Sequence, residues 1–335
     1  MNLDVTPLIY QRGAAGVPAT SALLPDLRGR LTAIDWSITD QFGFESCTLT
    51  FTGPVEEFLA WADELGASLL MVGPDAQVCW EGQLTEVRAT LGQEQHSRSL
   101  DGMANRVRVR YTAPNGTPGV YPTGGSGLSD TTSQARYGIK DGVTSLDSAT
   151  TADAIALAGR VLDKTRFPTR RPTSQAATGE LGEVTIELAF TGWYGTLDWV
   201  LLGNASTTNT AVSTQVGSLL TTLASTNAFI STATTSITTS SVSATERVAA
   251  DTTYRAKIEA LLGLGTGSGR YAWGVYENRV FVAEAWAGSA PDTIHYVRNL
   301  GQGQVLDQLG AVVEPWDLRP NKMYQIRDLL ELSPA

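Results

Sequence analysis

Two hydrophobic periods meet at Pro54. Before it, Cys47-Thr48-Leu49-Thr50-Phe51-Thr52 alternates apolar and polar residues, as a strand does when one face lies on a core and the other faces water or a partner. After it, Val55, Phe58, Leu59, Ala62 and Leu65 recur at helical spacing. Glu56 and Glu57 fall in the first turn, where the positive end of the helix dipole favours carboxylates, and Gly66 supplies a stop. The pattern predicts a strand leading directly into a helix over 54–65 that lies as a lid on a sheet.

More strands follow. Residues 69–72 form a short apolar run, and within 78–89 Val78, Trp80 and Leu84 share one face. By Val87 the parity has switched, which predicts a bulge within 82–86. Residues 97–100 are a short extended run ending in the turn Asp101-Gly102. Arg106 to Tyr111 alternates again, with Val107, Val109 and Tyr111 expected inward and Arg106, Arg108 and Arg110 outward.

Beyond Tyr111 the composition shifts. Residues 113–133 are rich in Gly, Pro, Ser and Thr and read as a long loop, followed by a strand over 137–145. Thr150 or Thr151 caps a helix carrying Ile155, Ala158, Val161 and Leu162 on one side, and Pro168 ends it. Residues 183–190 alternate as a strand before a dense aromatic patch, Trp193, Tyr194, Leu197 and Trp199. Such aromatics stack on sugars, or fill a core or an interface. Val212, Val216, Leu219, Leu220 and Leu223 predict a helix; 231–245 is extended; Tyr254, Ile258, Leu261 and Leu262 predict a second helix closed by Gly263. Residues 270–276 and 279–285 flank Glu277-Asn278, a two-residue hairpin turn in which Asn tolerates positive φ. Residues 305–313 and 323–332 are expected to be strands that return to an earlier sheet.

The 335-residue length accommodates two or three domains, and 42% hydrophobic residues suffices for real cores. A net charge of −10 argues against a dedicated nucleic-acid surface, which needs clustered Lys and Arg. Cys47 and Cys79, both within expected strands, read as buried thiols, and no run approaches the ~20 apolar residues of a membrane span. The beginning of the chain lacks a secretory pattern, so assembly in the cytoplasm is expected.

Catalytic groups are sparse. His96 and His295 stand far apart without ligand-spaced neighbours, no nucleophile elbow is present, and acids such as Glu81, Glu86, Asp101, Glu284 and Asp307 are scattered. The expectation is a non-enzymatic protein with no catalytic residue, metal or cofactor.

Three stretches carry a resemblance. They are Trp80-Glu81-Gly82-Gln83-Leu84-Thr85-Glu86-Val87-Arg88; then Leu100-Asp101-Gly102 with Asn105-Arg106-Val107 and Tyr111; and the hairpin Trp273-Gly274-Val275-Tyr276-Glu277-Asn278-Arg279. With Asp317-Leu318-Arg319-Pro320 and residues 323–329, they resemble a family of tail proteins from long-tailed bacteriophages, the hub of the tail tip or baseplate. In that family Gly usually follows the Pro, where this chain has Asn321. The resemblance implies an α+β, strand-rich fold of tail-tube-like β-barrel or sandwich domains with flanking helices and an inserted smaller α+β domain. The corresponding organisation is 1–112, a first tube-like domain; 113–182, the loop, strand and helix of a second; 183–299, the insertion; and 300–335, strands returning to the second.

It further implies a virion protein, a homo-oligomeric and trimeric ring that contacts tube, distal tail, tip or fibre proteins while DNA passes through without specific binding. On that reading Arg106, Arg108, Arg110, Trp193, Tyr194 and Trp199 are subunit-interface candidates. The alternatives are a tail module that binds host-surface carbohydrate through Trp193, Tyr194 and Trp199 or the Trp273 hairpin, and a tail-associated hydrolase.

Overall fold

The computed structural model describes residues 5–14, 17–39, 42–73, 76, 78–91, 94–123, 127–172, 183–202, 209–245, 252–285, 292–296 and 324–328. It is an α+β, strand-rich chain with mixed sheets, and no sheet closes into a barrel among the described residues.

The first half supplies strands β1 (Thr6–Arg12), β2 (Pro18–Leu23), β3 (Leu31–Thr39) and β4 (Phe42–Pro54), helix α1 (Val55–Asp63), and strands β5 (Ser68–Val72), β6 (Val78–Leu91) and β7 (Glu94–Ser99). The strand-to-helix step at Pro54 is as the two periods require, with Pro54 itself as the N-cap. The buried face of α1 is Phe58, Trp61 and Ala62, and Trp61 meets Phe51 edge-on at 6.3 Å. Leu59, expected inward, is 50% exposed: the wider indole of Trp61 takes the core side and rotates Leu59 to the rim. Both thiols are buried and free, on strands separated by one other strand.

Next come β8 (Arg106–Thr112), β9 (Pro118–Tyr121), β10 (Leu128–Ser129), α2 (Thr131–Tyr137), β11 (Asp141–Leu146), α3 (Thr151–Thr165), β12 (Thr169–Pro172) and β13 (Glu183–Gly192). Strand β13 inserts antiparallel between β4 and β6, pairing with residues 46–54 of the one and 82–90 of the other, and so stands in the middle of the large sheet. Opposite β13, Ala189 faces Glu86 but Phe190 faces Leu84, so Thr85 is the extra residue of a bulge, within the predicted interval. The bulge also divides β6, which pairs with β5 through residues 78–83 and with β7 through 86–91.

The small sheet is built on β8, which pairs parallel with β11 and antiparallel with β9 and β10. Helix α3 covers it, fastened by a Thr150–Asp153 capping box. Its inward residues are Ala154, Ala158 and Leu162; Ile155, expected inward, is 46% exposed. Helix α2 occupies part of the segment read as loop, nucleated by Asp130, whose side chain accepts from the Ser133 amide.

The last unit holds a 3-10 turn (Trp193–Asp198), β14 (Thr210–Ala211), α4 (Val212–Thr226), β15 (Ser231–Ile237), β16 (Ser243–Ala244), α5 (Tyr254–Leu262), β17 (Tyr271–Tyr276) and β18 (Val280–Ala285). Helices α4 and α5, the aromatic turn and the β17–β18 hairpin enclose one core. The hairpin loop has three residues, because Asn278 and Arg279 both adopt left-handed φ of about 60° and Tyr276 pairs with Val280. This places Phe281 and Ala283, not Val280 and Val282, in the interior. Strand β15 pairs parallel with β18. Two residues of β17 continue the large sheet, Gly274 opposite Phe42 and Val275 opposite Gly43. The backbones approach so closely there that a Cβ at Gly274 would overlap the Gly43 amide nitrogen.

Strands β19 (Asp292–Tyr296) and β20 (Tyr324–Asp328) form a separate parallel pair. The latter falls within the strand expected over 323–332 but pairs with β19 in a sheet of its own instead of returning to an earlier one, whereas 305–313 lies outside the described residues.

Candidate functional site

The small sheet has little core of its own. Its two apolar clusters are built from Val107, Val109, Ala104, Ala154, Ala158 and Leu162. What fixes it to the other two units is a polar junction at the start of β8 and β11, and that junction includes several of the residues singled out by sequence.

Arg106 and Asp141 face each other across the parallel β8–β11 pair and form a two-pronged ion pair, Nε to Oδ1 at 2.5 Å and Nη2 to Oδ2 at 2.6 Å. Only 14% of the Arg106 side chain and 4% of the Asp141 side chain are exposed. Asp141 Oδ2 also accepts from the Leu201 amide at 2.8 Å, while the Asp141 amide donates to the Trp199 carbonyl at 2.7 Å. The carboxylate therefore holds the end of the aromatic segment against the small sheet, with charge-assisted bonds on both sides.

One residue earlier, Lys140 is almost wholly enclosed. Its Nζ donates to the Leu100 carbonyl at 3.0 Å and sits 3.9 Å from the centre of the Trp199 ring. Burial pulls its pKa down to about 8, with the field of Asp101 acting the other way. The aromatic face partly replaces the lost water around the cation.

Two asparagines complete the junction. Asn105 accepts from the Lys140 amide and donates to the Gly138 carbonyl and the Ser133 hydroxyl. Asn227, at the C-terminal end of α4, grips both the amide and carbonyl of Ile139 at 2.8 Å each. An amide side chain satisfies the backbone donor and the backbone acceptor of one residue simultaneously, which a carboxylate or an ammonium cannot do.

The arginines expected to face outward have different environments. Arg106 is committed to Asp141. Arg108 is 5% exposed and so buried within this chain, and burial lowers its pKa against the pull of Asp141. Alternation along β8 identifies the two faces correctly, but the polar face is itself covered. Arg110 is half-buried and lines a cavity of about 360 Å³ with Tyr111, Gly119, Ser145 and Asp147.

The aromatic candidates are interior groups. Trp193 and Tyr194 are 1% and 2% exposed, and Trp193 stacks on Phe229. The Tyr194 hydroxyl accepts from Trp273 Nε1 at 3.0 Å and donates to Glu259 at 3.1 Å, and burial pushes its pKa well up. Trp199 is half-buried between Lys140 and Phe229. None of the three presents an open ring for a sugar.

Lys140, Asp141 and Asn227 had no sequence pattern to reveal them; Asn105 was visible only within the resemblance. Among the described residues no group of three or more His, Cys, Asp or Glu is placed to hold a metal ion, and no helix is long and apolar enough to cross a membrane. No family model, curated protein or solved structure matches the chain.

Proposed function

We propose that the chain is a structural subunit of a bacteriophage tail tip, a hub that joins the tail tube to the tip and surrounds the DNA channel. One observation carries the reading beyond motif likeness: three of the stretches that resemble the hub family take part in the joints of this fold, the first meeting the second where the Leu100 amide donates to the Thr85 carbonyl, and meeting the hairpin directly. Glu81, in the first stretch, accepts from the Asn278 amide of the hairpin stretch, across 197 residues of chain. Leu100 and Asn105, in the second, bind Lys140, and Arg106 binds Asp141. Residues that share a joint are constrained together, so their joint presence is more informative than any one motif.

Composition supports the same role. An acidic chain whose junction arginine is neutralised internally offers little to phosphate, which suits a wall along which DNA slides. The proposed assembly is a trimeric ring in the virion tail, contacting tube, distal tail and tip or fibre proteins, with tube-like domains that complete their barrels only on assembly. The role is structural and assigns no catalytic residue. The interior positions of Trp193 and Tyr194 weigh against the carbohydrate-binding alternative.

Negative-stain electron microscopy of the purified chain tests the proposal. Rings with a central opening are expected; dispersed single particles at every concentration imaged would refute self-assembly into a hub.

A further inference from the structure

The hairpin unit meets the large sheet through very little backbone pairing, the two residues Gly274 and Val275 against Phe42 and Gly43. Beside that contact lies a buried carboxyl. Glu81 belongs to β6 and is 7% exposed; its Oε2 accepts from the Asn278 amide at 3.1 Å, and its Oε1 is enclosed with no hydrogen-bond partner among the described residues.

The turn is shaped to meet it. Asn278 and Arg279 both hold left-handed φ, of 60° and 61°, which Asn tolerates and Arg disfavours. Two consecutive left-handed residues turn their amides toward the carboxyl. The Arg279 guanidinium donates to the Ala228 carbonyl at 2.8 Å, so the same turn is also tied to the end of α4.

We propose that Glu81 and the Glu277–Arg279 turn form a proton-operated latch, tight when Glu81 is protonated and loosened when it ionises, which sets how firmly the hairpin unit is held to the large sheet. A neutral carboxyl can accept the Asn278 amide with modest desolvation, whereas a carboxylate buried there leaves Oε1 uncompensated. Opening the turn to water relieves that cost.

The charged groups that act on Glu81 come from the turn, Arg279 favouring ionisation and Glu277 opposing it. Burial outweighs the Asn278 and Arg279 contributions and raises the pKa to about 7 from an ordinary value of 4.5. Because the closed-state pKa is raised, the contribution to closure is fully present below the ordinary carboxyl range. It is lost progressively as pH climbs to about 7, and levels off above that.

Hydrogen exchange of the full chain, corrected for intrinsic rates, tests this at the amides of residues 277–279. Protection should fall by roughly tenfold per unit between about pH 5 and pH 7 and then flatten. In Glu81→Gln it should be independent of pH. Wild-type protection that does not vary with pH, or a Glu81→Gln chain that keeps the wild-type dependence, overturns the latch. Arg279→Gly serves should Glu81→Gln fail to fold, since glycine accepts the left-handed φ and the Glu81 carboxyl stays. Losing the Arg279 charge should move the levelling-off to higher pH; an unchanged or lower position overturns the proposal.

Discussion

Replacing Asp141 with Ala isolates the central joint of the fold. The substitution removes the carboxylate bound to the guanidinium of Arg106, whose side chain is 14% exposed, and it strips the acceptor from the Leu201 amide. Breaking a buried pair from one side costs about 3–5 kcal/mol, because the surviving charge stays enclosed without compensation. The unsatisfied amide alone would cost about 1–3 kcal/mol. The three groups form one network, so these figures do not add, and a total of about 3–5 kcal/mol is expected. Urea unfolding followed by tryptophan fluorescence reads the loss, with Trp199 adjacent to the lesion, and exchange of the Leu201 amide reads it locally. In a double-mutant cycle, Asp141→Ala with Arg106→Met should be less destabilising than the sum of the single changes by about 1–3 kcal/mol. A loss under about 1 kcal/mol for Asp141→Ala, or additive single effects, would show that the pair behaves as an exposed one and that the joint is held by something else.

Two other outcomes follow from the same geometry. Lys140 has a lowered folded pKa, so the folded state binds fewer protons than the unfolded chain between about pH 8 and pH 10.5, and its contribution to stability should rise by roughly 3 kcal/mol across that window. Lys140→Met, which keeps the contact with Trp199, should remove that rise, as judged by the difference between wild-type and variant unfolding curves at each pH; an identical slope in both would contradict it. Gly192 opposes Gly82 where β13 leaves the sheet, and a Cβ there would overlap the Phe44 carbonyl oxygen. Since backbone cannot swing aside, Gly192→Ala should destabilise by at least about 2–3 kcal/mol in thermal or urea unfolding, and a neutral effect would refute the close approach.

Local order was legible in the sequence wherever one period governed it. The step at Pro54, the bulge at Thr85 and helices α4 and α5 each announce themselves within a dozen residues, because burial of one face dictates residue type at fixed spacing. Helix α2 did not, since Thr131-Thr132-Ser133-Gln134-Ala135 has no apolar stripe and depends on its Asp130 cap. The hairpin was legible but its loop length was not: Arg279 takes a left-handed conformation that its own chemistry disfavours, a choice imposed by Glu81 and Ala228 from elsewhere in the chain. The parallel pairing of β8 with β11 and the packing that buries Arg108 are likewise products of tertiary context. For the candidate joint the difficulty is greater, because Asn105, Asp141 and Asn227 act on backbone groups of distant segments and so need no fixed spacing.

The solution mass of the purified chain, measured by mass photometry or sedimentation over a range of concentrations, tests the hub reading most directly. The account expects a species of three times the 35.7 kDa subunit, persisting on dilution as a closed ring would. A single 35.7 kDa species at every concentration would contradict it.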